Sequence, residues 1–217
     1  MRKPEVDYRN FRLKKINEKE YCHLKLLFGW VVYFALFFLT ERYIPAEKCH
    51  PVHMFLDDWI PFCEWFLIPY VFWYGLILFT LVWFARYNVQ GFRAFQGYIM
   101  ITQFLAIAIY ILYPTRQDLR PEAFVRENFL TKGVSFLYSV DTSTGVCPSL
   151  HVAYSFGIFS VWSKEKTVSL WWKLFVLFAV VMICLSTVFI KQHSAVDFFA
   201  AIPVCLIAEG VIYLRKR

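Results

Sequence analysis

The chain has 217 residues, of which 59% are hydrophobic and 21% aromatic, and its mean hydropathy is +0.48. A soluble domain of ordinary make-up is excluded by that composition, and the length leaves room for one folded unit. The formal net charge is +7, but the basic residues gather at the ends of apolar segments and form no separate patch, so a nucleic-acid partner is not expected.

Residues 1–24 form a basic N-terminal segment carrying Arg2, Lys3, Arg9, Arg12, Lys14, Lys15 and Lys19, with Lys25 just beyond. Six apolar stretches follow, at about 25–40, 66–85, 97–113, 150–163, 170–190 and 196–214. Most approach the ~20 residues that a helix needs to cross about 30 Å of hydrocarbon. The fourth is short, and is expected to gain length from polar ends or from locally thinned lipid. Residues 25–217 therefore read as one all-α, six-span membrane domain, with no internal repeat and no low-complexity segment.

Charge sets the orientation. Arg86 and Arg93 separate the second and third stretches, Lys164, Lys166 and Lys173 the fourth and fifth, and Arg215, Lys216 and Arg217 end the chain. The loop after the first stretch instead carries Glu41, Glu47, Asp57, Asp58 and Glu64 against Arg42 and Lys48. The positive-inside rule then puts both termini in the cytoplasm. The first stretch ends Leu-Phe-Phe-Leu-Thr-Glu-Arg, without the small-residue site of a cleavable signal peptide. Trp59, Trp65, Trp83, Trp162, Trp171 and Trp172 fall near stretch ends, where interfacial aromatics belong.

Six cysteines are scattered. Cys184 and Cys205 sit in apolar stretches as packing residues. Cys49, Cys63 and Cys147 fall on the non-cytoplasmic side, where a disulfide is chemically possible but spacing does not pair them. Cys49-His50-Pro-Val-His53 has the look of a metal site but lacks a second ligand pair, so an ordinary polar loop is expected there. Glu209, near the cytoplasmic end of the last stretch, is expected to serve a helix-packing or interfacial role.

The chemistry-bearing residues share one side. Arg116, Arg120, His151, His193 and Asp197 all lie at the non-cytoplasmic ends of their segments, and such a convergence at a membrane surface calls for a function. Pro148 and Ser149 suit the start of a helix. Free backbone N–H groups there would bind phosphate oxygens, with His151 just inside the turn. His193 and Asp197 are spaced i, i+4, so a helix beginning near His193 would put them on one face. The carboxylate would then orient the imidazole, and Arg120 is a fork suited to phosphate.

Tyr113-x6-Arg120-Pro121, Pro148-Ser149-Leu150-His151 and Ser186-Thr187-x5-His193-x3-Asp197 together resemble the three motifs of the type-2 phosphatidic acid phosphatase superfamily, which includes the vanadium haloperoxidases. The resemblance covers about residues 97–214. It implies a six-helix bundle with an extracytoplasmic site, no cofactor, and a metal-independent mechanism in two steps. His193 would attack phosphorus, His151 would protonate the leaving alkoxide, and Arg120, Ser149 and Ser186 would hold the phosphate. Tyr113 stands where the family has lysine and Thr187 where it has arginine. Arg116 and Lys191 are the candidate replacements for those charges. Pro-Ser-Leu-His and the missing arginine are similar to the inositol phosphorylceramide and sphingomyelin synthase branch. The implied activity is hydrolysis of a lipid phosphomonoester of the phosphatidic acid or isoprenyl (pyro)phosphate type. The alternatives are transfer of a phospho-headgroup to a lipid hydroxyl, and a non-catalytic protein with a decayed site. The implied partners are a lipid phosphate and membrane lipids. The oligomeric state is left open.

Overall fold

A computed structural model describes residues 3–214, so the expectations that rest on Arg2, Arg215, Lys216 and Arg217 lie outside the described residues. The described chain is mostly helical: α1 Phe28–Tyr43, α2 Phe55–Trp59, α3 Leu67–Tyr87, α4 Val89–Leu112, α5 Phe129–Val140, α6 Leu150–Lys164, α7 Leu170–Phe189 and α8 Ala195–Tyr213. Two short strands, β1 His50–Pro51 and β2 Thr115–Arg116, pair in parallel and tie the first long loop to the segment after α4.

Five helical stretches are long and apolar enough to cross a membrane: Cys22–Tyr43, Glu64–Tyr87, Val89–Leu112, Leu170–Phe189 and Ala195–Tyr213. They match the first, second, third, fifth and sixth stretches read from the sequence. The fourth is α6, whose 15 residues rise only about 22 Å at 1.5 Å each. Among the described residues, therefore, five helices have full spanning length and α6 is shorter.

α6 is the inner helix and packs against α3, α4, α7 and α8. Gly157 allows the closest approach: a Cβ there would come within 2.7 Å of the Tyr98 ring on α4. In lipid such contacts, rather than water exclusion, hold helices together. Trp162 belongs to this core. It is buried and donates Nε1–H to Thr80 Oγ1 at 3.0 Å, so it is not the interfacial residue its place near a stretch end suggested. Trp59, Trp65 and Trp171 are exposed.

The connections fall at two ends. At one, the backbone of Glu5 and Val6 donates to Arg86 O, Tyr8 donates to Ala85 O, and Asn88 Nδ2 donates to Glu165 Oε2. The N-terminal segment is thus folded against the end of α3, and the Asn88 bond ties the α3–α4 turn to the α6–α7 turn. Glu209 is at this end too, accepting from Ser160 Oγ at 2.7 Å and pairing with Lys164 at 2.5 Å, a helix-packing role. The opposite end carries α2, α5, both strands and the motif residues.

Candidate active site

The His193–Asp197 pair is built by the α7–α8 turn. Lys191 takes a left-handed φ of 54°, and the N–H groups of Gln192 and His193 both donate to Thr187 O, at 3.0 and 2.9 Å. Ser194 then caps α8, and Asp197 completes a capping box with it. Asp197 Oδ2 accepts from Ser194 N–H and lies 3.0 Å from His193 Nδ1. His193 therefore precedes the helix instead of opening it. The pair forms because a capping carboxylate reaches backward, not because two helical residues share a face. An ionised carboxylate only accepts, so Nδ1 carries the proton and Nε2 is left to act.

Ser149 caps α6 as its residue type foretells, accepting from Val152 N–H at 3.4 Å. Its own N–H donates to Asp197 O at 3.1 Å, joining the second and third motifs directly. Within the first turn of α6, the His151 ring lies 4.6 Å from that of Tyr70 and 4.4 Å from that of Trp73, centroid to centroid. Its centroid is 5.7 Å from that of His193. His151 Nε2 is buried without a hydrogen-bond partner. Leaving such a nitrogen unsatisfied costs about 1–3 kcal/mol, which an oxygen of a bound molecule can recover.

The other expected residues are placed differently. Arg120 stacks on Tyr138, with its guanidinium 4.4 Å from the ring centroid. Its Nη groups donate to Tyr138 O, Asp141 O, Thr142 O and Gln192 Oε1. It thereby satisfies the carbonyls that the end of α5 leaves open. Burial holds its pKa below the usual guanidinium value. Lys191 donates to Asp57 O and Ile60 O at 2.8 and 2.5 Å, and burial lowers its pKa. Arg116 binds Asp118 and Ala46 O, away from the histidines. Ser186 is buried in α7 and bonds back to Ile183 O. Tyr113 stacks on His50 at 4.4 Å, and Thr187 bonds to Cys184 O.

Both histidines line a cavity of about 390 Å³. Its walls include Trp30, Tyr33, Phe34 and Phe38 of α1, Trp73 and Tyr74 of α3, and Asp141 and Gln192 at the site end. Phe34, Phe38 and Tyr74 remain 47%, 64% and 50% exposed, so the cavity wall runs on into the outer apolar surface of the bundle.

Several of these residues carry no motif signal. Asp141 accepts from Gln192 Nε2 at 2.6 Å and from Tyr70 OH at 3.2 Å. Asp57 binds Ser194 Oγ and Ala195 N–H at 2.5 and 2.8 Å. Cys49, Cys63 and Cys147 are free thiols. Burial, with Asp197 close by, pushes the Cys147 thiol up to about 12. His53 pairs with Asp58, and among the described residues no group of three or more His, Cys, Asp and Glu can hold a metal.

No protein-family model, curated protein or solved structure matches the chain.

Proposed function

We propose that this protein is a membrane enzyme that cleaves a lipid phosphoester through a phosphohistidine on His193. The observation that carries this reading is the meeting of His151 with the His193–Asp197 pair in one cavity whose wall includes exposed apolar side chains. His193 Nε2 attacks phosphorus and the P–O bond to the lipid breaks. His151, charged only once the anionic phosphate binds beside it, gives its proton to the departing alkoxide. Asp197 stabilises the charge that develops on His193. In the second step His151 takes a proton from the acceptor as the acceptor's oxygen attacks phosphorus, and the P–N bond breaks. With rings 5.7 Å apart, one phosphoryl group can touch both.

The first reading is a hydrolase, with water as acceptor, since transfer requires a second lipid site. Transfer to a lipid hydroxyl is the second reading, and one observation favours it. Among the described residues, no lysine or arginine lines the cavity, although a phosphomonoester dianion calls for such charges. The test supplies the purified protein with phosphatidic acid, an isoprenyl phosphate or a labelled phospholipid, with and without diacylglycerol or ceramide. Free phosphate, soluble headgroup and new phospholipid are measured. Release without an acceptor, surviving EDTA, is expected. Product that forms only with a lipid alcohol would replace the hydrolase by the transferase.

The site is placed on the extracytoplasmic face, with both termini in the cytoplasm and α6 as a sixth, short span. The basic residues at the opposite end support this. In a background without accessible thiols, an impermeant reagent should label Thr142→Cys in intact cells and spare Lys166→Cys. The reverse pattern would invert the orientation.

A further inference from the structure

The cavity has an unusual lining for a phosphate site. Its charged side chains, the histidines apart, are Glu41 and Asp141, and the aromatic rings of Trp30, Tyr33, Phe37 and Tyr74 surround the same space. The carboxylates are held in place: Thr142 Oγ1 donates to Glu41, and Gln192 and Tyr70 donate to Asp141. Arg120 does not line the cavity, and its Nη groups are spent on carbonyls and on Gln192. At the other end His151 Nε2 has no partner. One end therefore suits a phosphoryl oxygen and the rest suits a cation.

We infer that the substrate's headgroup carries a substituted ammonium ion, which Glu41, Asp141 and the surrounding rings receive while its phosphate meets the histidines. Rings presenting their faces attract a cation, more so away from water. Two nearby carboxylates disfavour a dianionic monoester but complement a zwitterionic phosphodiester. The bond broken is that from phosphorus to the lipid alcohol. The ammonium-bearing phosphate moves to His193 Nε2, the alcohol leaves with the proton of His151, and water or a lipid hydroxyl later takes the phosphoryl group. The inference rests on the phosphohistidine reading for this chemistry, but headgroup binding is separable from it.

The experiment uses the His193→Ala protein in detergent, titrated calorimetrically with dihexanoyl phosphatidylcholine and with dihexanoyl phosphatidylglycerol. The choline lipid should bind about tenfold more tightly. Adding Glu41→Gln, which keeps the bond from Thr142, should remove most of that preference. Tyr74→Leu on α3 provides a second, independent probe and should weaken the choline lipid alone. Equal affinities, or tighter binding of the glycerol lipid, overturn the inference. Turnover of both lipids and of phosphatidic acid by the unaltered protein separates the two proposals. Choline preference in binding with no lipid cleaved leaves the headgroup site and removes the enzyme. Cleavage that favours phosphatidic acid, without choline preference, does the opposite.

Discussion

Replacing His193 by alanine is expected to lower lipid phosphoester turnover by at least about a thousandfold, the scale on which loss of a covalent nucleophile acts. The fold should survive. The ring's one hydrogen bond is to Asp197, and that carboxylate keeps its bond from Ser194 N–H when the ring is gone. Asp197→Asn should be nearly as severe for another reason. An amide can turn its NH₂ toward Nδ1, which forces the proton onto Nε2 and blocks the attacking lone pair. His151→Ala should harm lipids with poor alkoxide leaving groups far more than nitrophenyl esters, because only the former need a proton from the enzyme. Turnover and trapping of labelled, acid-labile phosphoprotein would be measured together. Unimpaired turnover or labelling in His193→Ala would end the mechanism.

The helices are legible because lipid demands it. A segment that crosses hydrocarbon must be apolar over its whole length, and stretches near 66–85 and 170–190 announce themselves. α6 is less plain. Enclosed by other helices, it meets protein instead of lipid and can be short, with Ser149 and Lys164 at its ends. The histidines and Asp197 are readable as spacing. The charge partners are not, since whether Arg116, Arg120 and Lys191 face a ligand or a carbonyl depends on how loops far apart in sequence meet. Arg120 closes the end of α5, an element hidden within a charged connection although Asn128 and Thr131 form its capping box and Val134 and Leu137 its buried side. Residues 3–24 also exceed their sequence. Nothing in a basic, polar run tells that Tyr8 will reach Ala85 O and His23.

Asp57 is the clearest case of a residue that only the fold reveals, and its loss should have the second-largest effect. One carboxylate serves two helix starts: Oδ2 accepts from Met54 N–H and Ser194 Oγ, and Oδ1 accepts from Ala195 N–H. The first loop thus latches the first turn of α8, immediately beside His193 and Asp197. Lys191 strengthens the latch from below by donating to Asp57 O. Buried charge-assisted bonds of this kind are each worth about 1.5–3 kcal/mol, so Asp57→Ala should cost about 3 kcal/mol of stability. It should also free the turn that aims His193. A shift of about 1 Å at a nucleophile can cost a hundredfold in rate, so kcat should fall by that order while KM stays within a few-fold. Asp57→Asn, which keeps an acceptor for Ala195 N–H, should recover much of the stability and part of the rate. The split between kcat and KM, measured well below the melting temperature where both variants are folded, separates aim from mere stability. Thermal melting, kcat and KM of the two variants decide the matter. A destabilised Asp57→Ala with unaltered kcat would make Asp57 a structural latch alone.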